Sequence, residues 1–304
     1  MRKPDFFIVG APKCGTTALN AYLQQHPDIF LPQKKEINFF GADLIFYKPR
    51  VTQEQYLAYF TEAKEGKRVG EAAVWYLYSK LAAAEIKEFN PDASIIIMLR
   101  NPVDMMYSLH GQRLYNDNEN ILDFAEALAA EEDRKQGRRL YQNAANAMGF
   151  FYREAARYTQ QVQRYLEIFG RPRVHVIIFD DFKSDTPLVY RKTCAFLQVD
   201  PQFQPEFTVI NPSKTVRSET FRGFLRYPPP SVRRLVRLLK LHPVQWGLKD
   251  WLRRLNTKPE PRGPIDPELK RRLQGEFLPE VQQLSELLGR DLTHWCRPEV
   301  AKAA

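Results

Sequence analysis

Cysteine is scarce in this chain. Three occur in 304 residues, Cys14, Cys194 and Cys296, and no two have paired spacing. That count fits a reducing compartment better than a disulfide framework, so a cytoplasmic protein is expected. Histidine is equally thin, with five residues scattered at 26, 110, 175, 242 and 294. No His/Cys/Asp grouping has the spacing of a catalytic metal site, and no metal is expected. There is no run of eighteen apolar residues, which excludes a spanning helix. The apolar FFIVGA near the N-terminus is too short for the core of a secretory signal, and no cleavage pattern follows it. Internal repeats and low-complexity tracts are missing. So are zinc-finger spacing, a helix-turn-helix signal and an RNA-binding consensus. The net charge of +9 is therefore not read as a nucleic-acid footprint.

That charge is concentrated. Residues 213–263 hold thirteen Lys/Arg against three Asp/Glu, and the rest of the chain is near neutral. Within them, SVRRLVRLLKL sets Val232, Leu235, Val236 and Leu239 on one face, with Arg233, Arg234, Arg237 and Lys240 around it. Two readings stand: a helix packed on the protein with a solvated basic face, or a peripheral contact with an anionic membrane surface or polyanionic acceptor. Tyr227-Pro228-Pro229-Pro230 and the KPEPRGP of residues 258–264 bracket this stretch. The length suits one domain, residues 1–304, with a basic helical insertion or lid at 226–262.

Residues 5–10, 68–72, 94–99 and 174–179 read as four strands, of which FFIVGA and SIIIML are continuous apolar runs and read as buried. Helical patterns separate them, so the class is α/β with a largely parallel, P-loop-like sheet flanked by helices. Residues 120–169 read as two long helices, the second carrying an amphipathic stripe through Ala155, Tyr158, Val162, Tyr165 and Leu166.

Residues 6–23, FFIVGAPKCGTTALNAYL, give strand, tight loop and helix in sequence. This layout turns backbone N–H groups and a helix N-terminus toward an anion. Lys13 adds a charge inside the loop; Thr16 and Thr17 add hydroxyls at the first turn. The loop differs from a Walker A sequence, which places lysine directly after its second glycine. Here the residue after Gly15 is Thr16, and the lysine lies earlier, at Lys13. That argues against an ordinary ATPase or kinase. In a second segment, SIIIMLRNPVDMMYSLH of residues 94–110, Arg100 ends a strand and Asn101-Pro102 start a helix. Ligands of open α/β sheets bind at the carboxyl ends of strands. Arg100 can fork onto a phosphate there, and Ser108 can add a hydroxyl.

The P-K-x-G-T-T loop resembles the 5′-phosphosulfate loop of sulfotransferases that use 3′-phosphoadenosine 5′-phosphosulfate (PAPS). The L-R-N-P-V-D-x-x-Y-S segment resembles their 3′-phosphate motif. His26-Pro27-Asp28-Ile29, Lys35-Glu36-Ile37-Asn38-Phe39-Phe40, Gly70-Glu71-Ala72 and Tyr76-Leu77 resemble the bacterial and heparan sulfate branch. VHVIIFDDF at 174–182 and the terminal FLPEVQQLSELLGRDLTHW at 277–295 do as well; residues 226–262 match weakly.

The resemblance implies that Lys13, Cys14, Gly15, Thr16, Thr17 and Ala18 hold the 5′ end of PAPS (product PAP, 3′,5′-ADP). It also implies that Arg100 and Ser108 hold the 3′-phosphate, and that Lys214 and Arg217 belong to a cationic loop over the cofactor. Lys13 would stabilise the departing phosphate, and Glu36 would be the catalytic base. Asn38 stands where many bacterial relatives have histidine. His110 is the next candidate base.

The implied function is sulfation of a hydroxyl or amine, first of a carbohydrate or glycolipid. Three alternatives stay open: sulfation of a small-molecule or lipid alcohol, an ATP-using kinase-like protein, and a non-catalytic sulfonucleotide- or polyanion-binding module. Thr16 at the Walker lysine position speaks against the kinase. Glu36 within KEINFF speaks against the binding module.

Overall fold

A computed structural model describes residues 2–47, 49–208, 215–216, 257–258 and 263–297. Lys214, Arg217 and nearly all of the 226–262 segment lie outside the described residues. By contact density the chain divides into two units, residues 1–209 with 265–304, and residues 210–264.

The larger unit is built on five strands: β1 (Phe6–Gly10), β2 (Ile29–Phe30), β3 (Arg68–Ala72), β4 (Ser94–Leu99) and β5 (Val174–Ile178). All pair in parallel, in the order β2-β3-β1-β4-β5. β1 and β4 are buried at every residue. This is why FFIVG and SIIIML are apolar on both faces: helices cover both sides of a central parallel strand. In the smaller unit β6 (Thr215–Val216) pairs antiparallel with β7 (Thr257–Lys258).

Eleven helices of the larger unit are described. They are α1 (Thr16–Leu23), α2 (Gln53–Ala58), α3 (Ala82–Phe89), α4 (Pro102–Tyr115), α5 (Phe124–Ala129), α6 (Glu131–Lys135), α7 (Tyr152–Ala156), α8 (Tyr158–Phe169), α9 (Phe179–Ser184), α10 (Thr186–Phe196) and α11 (Pro267–Leu288). Among the described residues no helix is long and apolar enough to cross a membrane.

The four expected strands and the α/β class are present, and β2 is added. Two residues cannot carry an alternation, so nothing in the sequence separates β2 from the loops around it. The two long helices expected over 120–169 are instead four short ones with a 3-10 turn at Met148–Phe150. The stripe breaks at Arg157 (φ −82°, ψ 83°). Across that break the start of α8 is capped from outside: Glu280 Oε1 on α11 accepts from Thr159 N and Thr159 Oγ1, both at 2.7 Å. A cap supplied more than a hundred residues away leaves no local signal.

Two connections decide where a ligand can sit. From β1 the chain passes to β2 and β3 on one side; from β4 it passes to β5 on the other. The switch point therefore falls between the carboxyl ends of β1 and β4, where open parallel sheets take their ligands. The loop carrying Lys13 and the residue Arg100 both emerge there.

Candidate active site

The β1–α1 loop turns tightly into the helix. Gly15 caps α1 in the left-handed region, φ 91°. A Cβ at Gly15 would meet the Phe179 ring at 3.1 Å and Met98 Cε at 3.3 Å, so both conformation and space require glycine. Ala18 and Leu19 both donate to Gly15 O, at 3.0 and 3.1 Å. The N–H groups of Gly15, Thr16 and Thr17 thus lie ahead of the first intrahelical bond, at the positive end of the helix. Lys13 is held at φ 64°, a conformation costly for a residue with a Cβ and found where surrounding structure enforces it.

Cys14 faces the other way. It is fully buried, and Sγ donates to Pro12 O at 3.4 Å. Burial pushes its thiol up to about 12, outweighing the Arg100 charge. The side chain is no nucleophile at neutral pH, and only the backbone of Cys14 is available to a ligand.

Arg100 leaves the end of β4 beside this loop. Its Nη1 donates to Lys13 O at 3.5 Å, its Nη2 lies 4.0 Å from Asp104, and its guanidinium sits 5.0 Å over the Phe179 ring. Phe179, the first residue of α9, therefore supports the loop glycine and the arginine together. Ser108 is on α4, partly buried, two turns after the Asn101 cap.

The third wall comes from residues 34–40. Lys35 Nζ donates to Thr16 Oγ1 at 3.1 Å and Thr17 Oγ1 at 3.2 Å, and lies 3.5 Å from Glu36 Oε1. Glu36 Oε2 accepts from Val74 N at 3.1 Å, and Glu36 N donates to Ala72 O at 2.9 Å. Glu36 and Asn38 both have positive φ, 60° and 58°, and Asn38 Nδ2 closes the turn onto Glu36 O at 2.9 Å. Lys34 points elsewhere, donating to Tyr59 OH at 2.7 Å.

The electrostatics have one direction. Burial lowers the Lys13 ammonium below the usual lysine value; the Arg100 charge adds to this, Cys14 opposes it and Lys35 adds to it. Burial lowers Lys35 as well, against the charge of Glu36. Burial raises Glu36, against Lys35 and the Val74 N–H. Lys35 thus faces Glu36 and Arg100 faces Asp104, while the charges of Arg100 and Lys35 both bear on Lys13. An anion of two or more charges would relieve their mutual repulsion and use the N–H groups ahead of α1. A phosphate-bearing cofactor fits this donor set.

The structure brings Lys13, Gly15, Thr16, Thr17, Glu36 and Arg100 to one edge. Lys214 and Arg217 lie outside the described residues. His110 is fully buried, and its Nε2 pairs with Ile121 O at 2.9 Å, so it is tied into the core. Two residues were not singled out in the sequence: Lys35, legible only as the neighbour of Glu36, and Phe179, an aromatic after a strand. Among the described residues no group of three His, Cys, Asp or Glu could hold a metal.

Residues 3–215 match the family model described as the sulfotransferase domain. Human carbohydrate sulfotransferase 15 is 26% identical over 250 residues, covering 65% of this chain and 44% of that protein. Mouse bifunctional heparan sulfate N-deacetylase/N-sulfotransferase 4 is 25% identical over 311 residues, covering 98% of this chain and 32% of that protein. The chain thus spans less than half the length of these curated relatives. A crystal structure of a sulfotransferase from Alicyclobacillus acidocaldarius matches with a TM-score of 0.74 at 31% identity, covering 98% of this chain and 100% of that one. On a family model that takes in most of its length, this chain belongs to the sulfotransferase domain family.

Proposed function

We propose that this protein moves the sulfuryl group of PAPS to a hydroxyl or amine of a carbohydrate acceptor. One observation carries the reading: Lys35 links the two hydroxyls at the start of α1 to the carboxylate of Glu36. A cation-lined anion recess and a raised-pKa base therefore share one opening. When bound, PAPS supplies an activated sulfuryl group on a phosphate leaving group.

Each residue then has a role. The backbone N–H groups of residues 14–18 and the hydroxyls of Thr16 and Thr17 hold the 5′ end. Lys13 and Lys35 neutralise charge there, and no metal is called for because the sulfuryl group carries less charge than a phosphoryl group. Arg100 holds the 3′-phosphate, with Ser108 as its hydroxyl partner; Lys214 and Arg217 are the loop cations of the same reading. Glu36 takes the acceptor proton. Its Oε2 is engaged by Val74 N–H, and Lys35 stands back at 3.5 Å from Oε1, so Oε1 receives the proton. A carboxylate raised by burial is a better base at neutral pH than an ordinary one. Positioning and fixed charge do the rest of the work.

The carbohydrate acceptor is supported by the names of relatives that are carbohydrate and heparan sulfate sulfotransferases. A panel of glycans, glycolipids and simple alcohols incubated with PAPS and read by mass shift tests it. Sulfation of a glycan hydroxyl or amine is expected. Sulfation of alcohols alone would replace the carbohydrate by the small-molecule reading. Phosphorylation from ATP with Mg²⁺ would overturn both.

A further inference from the structure

Glu71 is the most deeply buried acid near the site, and the roles above do not use it. It sits on β3 opposite Phe7 of β1, 1% exposed, inside a parallel sheet. A carboxylate there is costly unless donors surround it. Two phenols do. Tyr56 OH on α2 donates to Glu71 Oε2 at 2.5 Å, and Tyr76 OH donates to Oε1 at 2.7 Å.

The Tyr76 oxygen has a second task. It accepts from Phe39 N at 2.9 Å and Phe40 N at 3.3 Å. Those N–H groups belong to the loop that carries Glu36, and that loop is strained at Glu36 and Asn38. With both lone pairs of Tyr76 taken, its proton has one place to go, Glu71. The direction of every hydrogen bond in the chain is therefore set by the carboxylate. Tyr56 clamps the same loop from its side chain, stacking on Phe39 at 4.3 Å and 11°.

We infer that Glu71 is a positioning residue. Through Tyr76 and Tyr56 it holds residues 36–40 in the strained turn that aims Glu36 at the acceptor. It touches neither cofactor nor acceptor. This inference rests on Glu36 being the base, but the clamp itself is a property of the loop and can be read without turnover.

The clamp is also sensitive to protonation. A proton on Glu71 would sit on Oε2, where Tyr56 can reverse to accept it; Oε1 would then accept from Tyr76 as a neutral carbonyl, a weaker bond than one to a carboxylate. The charged and titratable groups facing Glu71 are Tyr56 from α2, Tyr76 from the turn after β3, and Glu36 from the loop, with Lys35 paired to Glu36 beyond it. Burial first, with the Glu36 charge adding, pushes the Glu71 carboxyl up to about 7 against the two phenol bonds. The loop is thus expected to loosen as pH falls through neutrality.

Hydrogen exchange resolved at the Phe39 and Phe40 amides, corrected for intrinsic rates, tests this on the full chain without ligand. In the wild type, protection should fall between about pH 8 and pH 6, since a local opening sets these rates. Glu71→Gln should remove that pH dependence. Tyr76→Phe, which keeps the ring and deletes the acceptor, should speed both amides by about a hundredfold at pH 8. In both variants PAP affinity should stay at the wild-type value, while turnover falls about tenfold or more with little change in acceptor KM. Protection that is independent of pH in the wild type, or unchanged in Tyr76→Phe, overturns the inference. If the amides respond and Glu36→Gln still turns over at the wild-type rate, the clamp stands and the assignment of the base fails.

Discussion

Two glutamates, one buried and one a third exposed, show how differently this chain uses charge. Glu119, in the loop after α4, is closed. Its Oε1 accepts from Arg134 Nη2 at 2.7 Å, Asn120 N at 2.9 Å and Ile121 N at 3.0 Å, and its Oε2 accepts from Tyr152 OH at 2.8 Å. Both side chains of the Arg134–Glu119 pair are inaccessible to solvent. Burial alone would raise Glu119; the Arg134 hydrogen bond and charge, the Ile121 N–H and Tyr152 overcome it and hold the carboxyl below its ordinary value. Glu36 is open. One N–H and one lysine at 3.5 Å face it, and burial prevails, so its carboxyl is raised. A saturated charge stabilises a fold. An undersaturated one costs stability and leaves a valence for a substrate. The cations around Glu36 share that condition: Lys13 and Lys35 are both lowered.

Substitutions should separate the two clusters by what they change. The largest effect is expected at Glu36. Glu36→Gln should lower turnover by about 10²–10⁴-fold, the range of a general base, with PAP affinity retained in calorimetry; full activity on the true acceptor would require another base. Glu119→Gln should do the opposite. Breaking a buried pair by removing one charge costs about 3–5 kcal/mol, read as a lower urea midpoint, while the folded protein keeps its PAP affinity. The same change should be smaller in acid. Glu119 is lower in the folded state than in the unfolded one, so its contribution is complete above the unfolded value and lost as pH falls through the folded one.

Lys13→Met sharpens the contrast. Losing a charge-assisted contact of about 1.5–3 kcal/mol should weaken PAP binding by roughly ten- to hundredfold. The ligand-free protein should be no less stable than wild type, because a partly buried lysine with lowered affinity for its proton opposes folding at neutral pH. A drop in the urea midpoint would mean that the site is as closed as the Glu119 cluster. The smallest effect is on pH dependence. PAP affinity should begin to decline at a pH below the ordinary lysine range, as Lys13 and Lys35 lose their protons. A flat profile up to that range would show that these lysines do not hold the anion.

What was legible in the sequence follows the same division. Lys13, Gly15, Thr16, Thr17 and Arg100 could be placed because their geometry is local: a strand, a turn and a helix start fix each of them. Glu36 was found through its resemblance to a family motif, and its raised carboxyl is visible only once Val74 and Lys35 surround it. Phe179 under Gly15, and Glu71 behind Tyr76, come from strands and helices meeting across the sheet, and no periodicity encodes such meetings. The fold was read correctly where strands are continuous and apolar. It was misread at residues 120–169, where the cap on α8 comes from Glu280 of α11.

Titration calorimetry of PAP, 5′-AMP and ATP with Mg²⁺ against the wild type and Arg100→Ala tests the central claim most directly, that the open cation cluster is a PAPS site. The account predicts that PAP binds at least about tenfold tighter than 5′-AMP, since a charge-assisted phosphate contact is worth that much. It predicts that Arg100→Ala removes this preference. Binding of ATP with Mg²⁺ as tight as PAP, or a preference for the 3′-phosphate that survives Arg100→Ala, would contradict it.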